Sequence, residues 1–75
     1  MKLRIDEEAD ALHLELIDVP VIESEEVAPG VIVDYDDSNQ VVGIEVLHLS
    51  KRPQPVNLMD FQFVTHPKRL MAAGK

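Results

Sequence analysis

Apolar residues recur at every second position in the first sixteen residues, a period that admits half-buried strands and excludes an amphipathic helix. Leu3 and Ile5 alternate with Lys2, Arg4 and Asp6, and Leu12, Leu14 and Leu16 alternate with His13 and Glu15. Glu7 to Asp10 separates the two runs, a length suited to a hairpin turn, with Asp6 placed to accept backbone N–H bonds from it. Pairing residues whose numbers sum to 17 sets Leu3 against Leu14 and Ile5 against Leu12. Lys2 then faces Glu15 on the other side, a cross-strand pair worth roughly 0.2–1 kcal/mol. A slip of one residue would set leucines against charges, so the pattern specifies its own register.

A second hairpin follows the same logic. Val31 to Tyr35 and Val41 to Leu47 are rich in β-branched residues and are separated by Asp36 to Gln40. A pair sum of 77 puts Val31, Val33 and Tyr35 opposite Val46, Ile44 and Val42. A sum of 78 would put Val33 opposite Glu45 and forfeit burial worth roughly 1.5–3 kcal/mol per large side chain. Ser38-Asn39 then forms the tip, where asparagine tolerates positive φ. Before this hairpin, Val19-Pro20 breaks the second strand, and residues 21–28 (VIESEEVA) read as a charged edge strand. Ala28-Pro29-Gly30-Val31 carries proline and glycine at the central positions of a type II turn. Gly43, inside a strand, marks a bulge or a close approach by another backbone.

The expected fold is therefore a small β-rich α+β domain, an antiparallel meander of about five strands built from two hairpins, with one or two short helical turns. Residues 1–52 form this β domain. Residues 53–75 are an extension, opened by the linker-like Pro53-Gln54-Pro55. Within it, Asn57 to Asp60 can cap one helical turn, and Phe61 to Val64 suits either a strand or a helix. The expected course is a turn, then a strand, then a frayed basic tail from Lys68 to Lys75.

Composition excludes several function classes. The 75 residues contain no cysteine, which removes disulfide scaffolds, cysteine zinc sites and thiol catalysis. Thirteen of the 14 acidic residues lie in residues 1–50 with only Lys2 and Arg4 beside them, so the body repels phosphate backbones and binds no nucleic acid. No apolar run is long enough to span a membrane. The opening MKLRIDEEAD has charges where an export signal needs an apolar core, so the expected location is the cytoplasm.

Catalytic and metal motifs are few. Asp34, Asp36 and Ser38 fall at positions 1, 3 and 5 of a calcium-loop spacing, and Glu45 falls at position 12. Position 6 is Asn39 rather than glycine, and the flanks alternate like strands instead of helices. The hairpin register also places Glu45 opposite Ile32, too far from Asp36 to close a cage, so no calcium site is expected. His13, His48 and His66 have no helical i, i+4 pairing. His13 reads as a surface residue near Arg4, and His48, sharing parity with Ile44 and Val46, as a rim of the core. The serines lack a G-x-S-x-G setting, and no glycine-rich phosphate loop is present. No catalytic residue, metal ligand or cofactor is expected. Glu23, Glu25, Glu26, Asp34 and Asp36 are the candidate partner-binding residues, and Asp6, Pro29, Gly30 and Gly43 the structural turn residues.

Three phrases carry a family resemblance: Ile5-Asp6-Glu7-Glu8-Ala9-Asp10-Ala11-Leu12, Glu25 through Asp36, and Val42-Gly43-Ile44-Glu45-Val46-Leu47 followed by Ser50-Lys51-Arg52. In order and spacing they resemble the YuzE-like family of small bacterial proteins, over roughly residues 1–52. The resemblance implies a domain of unknown function, with some members encoded beside toxin-like proteins and hence an antitoxin-like role. Ser38-Asn39 departs from the glycine common at that hairpin tip, and no catalytic residue carries over. The expected function is a non-enzymatic interaction module that binds a small basic protein through its acidic surface. The alternative is an acidic metal- or small-ligand-binding protein using the Asp34–Asp37 turn or the Glu23–Glu26 strand. A thin core and open strand edges point to a homodimer, with the C-terminal segment added to a neighbour's sheet.

Overall fold

The computed structural model describes residues 1–68, so most of the basic tail lies outside the described residues. The chain forms one five-stranded antiparallel sheet: β1 (Lys2–Asp6), β2 (Ala11–Glu15), β3 (Glu23–Ala28), β4 (Val31–Tyr35) and β5 (Val41–Val46). A 3₁₀ turn, Leu49–Lys51, follows, the only helical element among the described residues. This is the small β-rich domain that the alternation requires. Across the sheet the strands run β1-β2-β5-β4-β3. The N-terminal hairpin and the β3–β4–β5 meander are thus joined by β2 pairing with β5. Segment 16–22 carries the chain to the far edge, its Leu16 N–H donating to the Val42 carbonyl and its Ile22 N–H to the Tyr35 carbonyl.

Both hairpin registers are the ones that burial selects. Lys2 faces Glu15, Leu3 faces Leu14 and Ile5 faces Leu12. Val31 faces Val46, Ile32 faces Glu45 and Val33 faces Ile44. One pair differs from expectation. Tyr35 faces Val41 rather than Val42, because the register shifts between Asp34 and Tyr35. The shift leaves Val42 without a partner on β4 and 3% exposed, a bulge of the kind that bends a strand near its end.

The turns use the residues chosen for them. Asp6 Oδ1 accepts the Ala9 N–H at 3.0 Å. Gly30 adopts φ 74° and Asn39 φ 62°, the left-handed values that their turns demand. Asp36 Oδ1 accepts the N–H groups of both Ser38 and Gln40 at 2.9 Å, closing the β4–β5 turn as an Asx motif.

Two expectations past β5 are corrected. His48 does not rim the core. Its φ of 56° reverses the chain after β5 and breaks the parity on which that reading relied, so His48 is exposed and Leu49 is buried in its place. Asp10 secures this reversal: its carbonyl accepts the Leu49 N–H at 3.1 Å, and its carboxylate accepts the Ser50 N–H at 3.0 Å and the Ser50 hydroxyl at 2.7 Å. Phe61 to Val64 forms no strand. The Asn57–Asp60 turn does form, with Asn57 Oδ1 accepting the Met59 N–H. The chain beyond it follows an irregular course beside the apolar face of its own sheet.

Candidate functional site

Alternation gives the sheet two unlike faces. On the polar face Arg4 on β1, His13 on β2 and Glu45 on β5 lie in one cross-strand row, and Asp34 on β4 pairs with Ser24 on β3 in the next row, beyond Gly43. Asp34 is the buried member at 3% exposure. Its Oδ1 accepts the Ser24 hydroxyl at 2.6 Å, and its Oδ2 lies 3.5 Å from His13 Nε2, longer than a well-made hydrogen bond.

His13 and Asp34 are not on neighbouring strands. β5 runs between β2 and β4, so the two backbones are separated by about 10 Å, twice the interstrand spacing. The side chains meet by leaning over Gly43, which faces Glu15 on one side and Asp34 on the other. A Cβ at position 43 would lie 2.9 Å from Asp34 Oδ2 and 3.2 Å from His13 Nε2. Gly43 is therefore no turn residue. The close approach expected of it is real, but side chains make it rather than another backbone.

His13 faces Glu45 across the β2–β5 pair. One ligand atom from each of His13, Asp34 and Glu45 lies within 4.8 Å of the other two. On the outer side, the Arg4 guanidinium stands 3.3 Å from His13 Nδ1 and 3.9 Å from Glu15 Oε1. Guanidinium only donates, so Nδ1 accepts, and the proton of the neutral ring sits on Nε2, facing Asp34.

The opposite face is apolar and thinly covered. Leu3, Ile5, Leu12 and Leu14 floor a groove of about 560 Å³ whose wall is Leu58, Phe61 and Phe63 of the C-terminal segment. Phe61 and Phe63 remain 60% and 75% exposed, so this segment shades the face without sealing it.

The other sequence-selected residues are dispersed. Glu23, Glu25 and Glu26 are exposed on β3, which is an edge strand as expected. Glu26 accepts the Gly30 N–H at 2.9 Å, and Glu25 lies 3.5 Å from the Tyr35 hydroxyl. Asp36 is committed to its turn, so Asp34 and Glu45 share the polar face while Asp36 stands apart. Sequence reasoning missed the convergence of His13 with Asp34 and Glu45. The legible part was Gly43 opposite Asp34 in the β4–β5 hairpin; that β2 flanks the other side of Gly43 is set by strand order.

Among the described residues no helix is long and apolar enough to cross a membrane. A family model described as a protein of unknown function, DUF2283, matches residues 2–50. No curated protein and no solved structure matches the chain.

Proposed function

We propose, for a chain that belongs to the DUF2283 family of unknown function, that it is a small non-enzymatic interaction module whose apolar sheet face is covered by a second copy. The observation that carries this reading is the missing layer. Domains bury a sheet face against another layer of structure, and here the molecule is only 19 Å across its thinnest dimension. The chain exposes 6269 Å², whereas a compact monomer of its 8.4 kDa mass exposes about 4,600 Å². Part of the excess belongs to the irregular C-terminal segment. The remainder suits an interface, which takes about 800 Å² from each partner.

Charge and topology select the face. An acidic chain repels its own copy wherever carboxylates meet, and the carboxylates of Asp34, Glu45 and Glu15 lie on the polar side. Both edges are blunted by charge, β1 with Lys2, Arg4 and Asp6 and β3 with its three glutamates, which opposes edge-to-edge addition. Face-to-face pairing over Leu3, Ile5, Leu12 and Leu14 avoids both obstacles. The C-terminal segment then lies within the interface instead of extending a neighbour's sheet.

The exposed acidic edge of β3 supports a second contact, with a small basic protein. The YuzE-like resemblance, with the antitoxin-like role that it implies, supports the same assignment. Light scattering tests the dimer. Twice the chain mass is expected at micromolar concentration, and Ile5→Lys, at a site already 38% exposed, should give monomers that keep β-sheet circular dichroism. A monomeric parent protein would overturn the proposal.

A further inference from the structure

We propose that His13, Asp34 and Glu45 form a binding site for one divalent first-row transition cation of the Zn²⁺ class on the polar face of the sheet. The proposal goes beyond the interaction module and does not depend on it, since the dimer would cover the opposite face.

Four observations converge on the site. The donor set is one imidazole nitrogen and two carboxylates, within 4.8 Å of one another. Two ligands each about 2.1 Å from a cation lie at most about 4.2 Å apart, so small side-chain rotations suffice to close the set. The mixture of nitrogen and oxygen favours Zn²⁺, Co²⁺ or Ni²⁺ over Ca²⁺ and Mg²⁺, which prefer oxygen throughout. Second, Asp34 is almost fully buried, and Ser24 holds its Oδ1 at 2.6 Å. The other oxygen is thereby fixed toward the cluster, the orienting role that outer hydrogen bonds play at metal sites. Third, Glu45 makes no salt bridge among the described residues, so its carboxylate is not committed to another cation. Fourth, Gly43 keeps the floor open where any Cβ would intrude on both Asp34 and His13.

Arg4 sets the terms of binding. With Arg4 donating to Nδ1, the neutral ring carries its proton on Nε2, the atom that must hold the cation. Loading requires the proton to move to Nδ1 and the guanidinium to turn away toward Glu15, 3.9 Å distant. The ring keeps one proton throughout, so this exchange is a change of tautomer. Removing Arg4 removes both that competition and a repelling positive charge. Three protein ligands leave at least one coordination position for water.

Calorimetric titration of the full chain with zinc chloride tests the site, at about 0.15 M salt so that exposed charges are screened beyond about 8 Å. One cation per chain should bind saturably. Binding should weaken at least tenfold in His13→Gln and in Glu45→Gln, stay unchanged in Asp36→Asn and His66→Gln, and tighten in Arg4→Gln. Absence of a saturable one-to-one signal, or binding as tight as the parent's in the His13 and Glu45 variants, would overturn the assignment. The parent protein offers a check that needs no variant. Paramagnetic Co²⁺ should broaden the His13 ring resonances at concentrations that spare His48 and His66, and equal broadening of all three would refute the site.

Discussion

Gly43→Ala tests the construction of the polar face in a single atom. At an unencumbered strand position the change would stabilise the protein by about 0.4–1 kcal/mol, since alanine has less unfolded-state freedom to lose. Here the new Cβ would stand 2.9 Å from Asp34 Oδ2, 3.2 Å from His13 Nε2 and 3.5 Å from the Leu14 carbonyl. The Asp34 carboxylate must retreat by several tenths of an ångström. It is buried and bonded to Ser24 at 2.6 Å, so the retreat strains a hydrogen bond to a charged group, worth about 1.5–3 kcal/mol. Overpacking of a filled site adds about 1–3 kcal/mol when the surroundings yield poorly. Because His13, 30% exposed, can swing outward, the lower part of that range applies. The net expectation is a loss of about 1–3 kcal/mol after the entropic gain is subtracted. Urea unfolding at fixed protein concentration measures it, and with a slope near 1 kcal/mol/M the midpoint should fall by about 1–3 M. The same substitution in an Asp34→Ala background should cost little, because the oxygen that the Cβ meets is gone; this coupling is the diagnostic quantity. An unchanged or higher midpoint for Gly43→Ala, or the same loss in both backgrounds, would refute the reasoning.

Gly30→Val should cost more than about 1 kcal/mol, because a β-branched residue resists positive φ and the Cβ would meet the Leu47 carbonyl at 3.2 Å; equal denaturant midpoints would show otherwise. Leu49→Ala should cost about 2–5 kcal/mol as a buried large-to-small change, since Leu49 is 1% exposed; thermal unfolding reads this, and a loss below 1 kcal/mol would mean that the 3₁₀ turn does not close that end of the sheet. Asp10→Ala should cost about 1–2 kcal/mol through the bonds it makes to Ser50, and Ser50 should show faster amide hydrogen exchange than in the parent. Protection of Ser50 equal to the parent's would place the anchor elsewhere.

Alternation along residues 2–16 and 31–47, with one face to bury, was enough to specify two hairpins and their registers. A slip in either would have exposed leucines or valines and buried charges. Turn chemistry was equally legible, because positive φ at Gly30 and Asn39 and the Asx bonds of Asp6 and Asp36 are local properties of a few residues. The limits of that legibility are seen at Tyr35, His48 and Phe61. A bulge moved Tyr35 to Val41, a left-handed residue inverted the parity at His48, and the phenylalanines went beside their own sheet's apolar face instead of an edge. Each is a local backbone choice decided by distant partners, as when Asp10 holds Ser50 forty residues away. Period two places His13, Asp34 and Glu45 on polar faces of their strands but is silent on which strands adjoin. Only the pairing of β2 with β5 set His13 beside Glu45 and within reach of Asp34 across Gly43. Face and register follow from local burial, which the sequence encodes residue by residue. Strand order follows from how whole elements share the remaining apolar surface, so the polar cluster exists only in the folded chain.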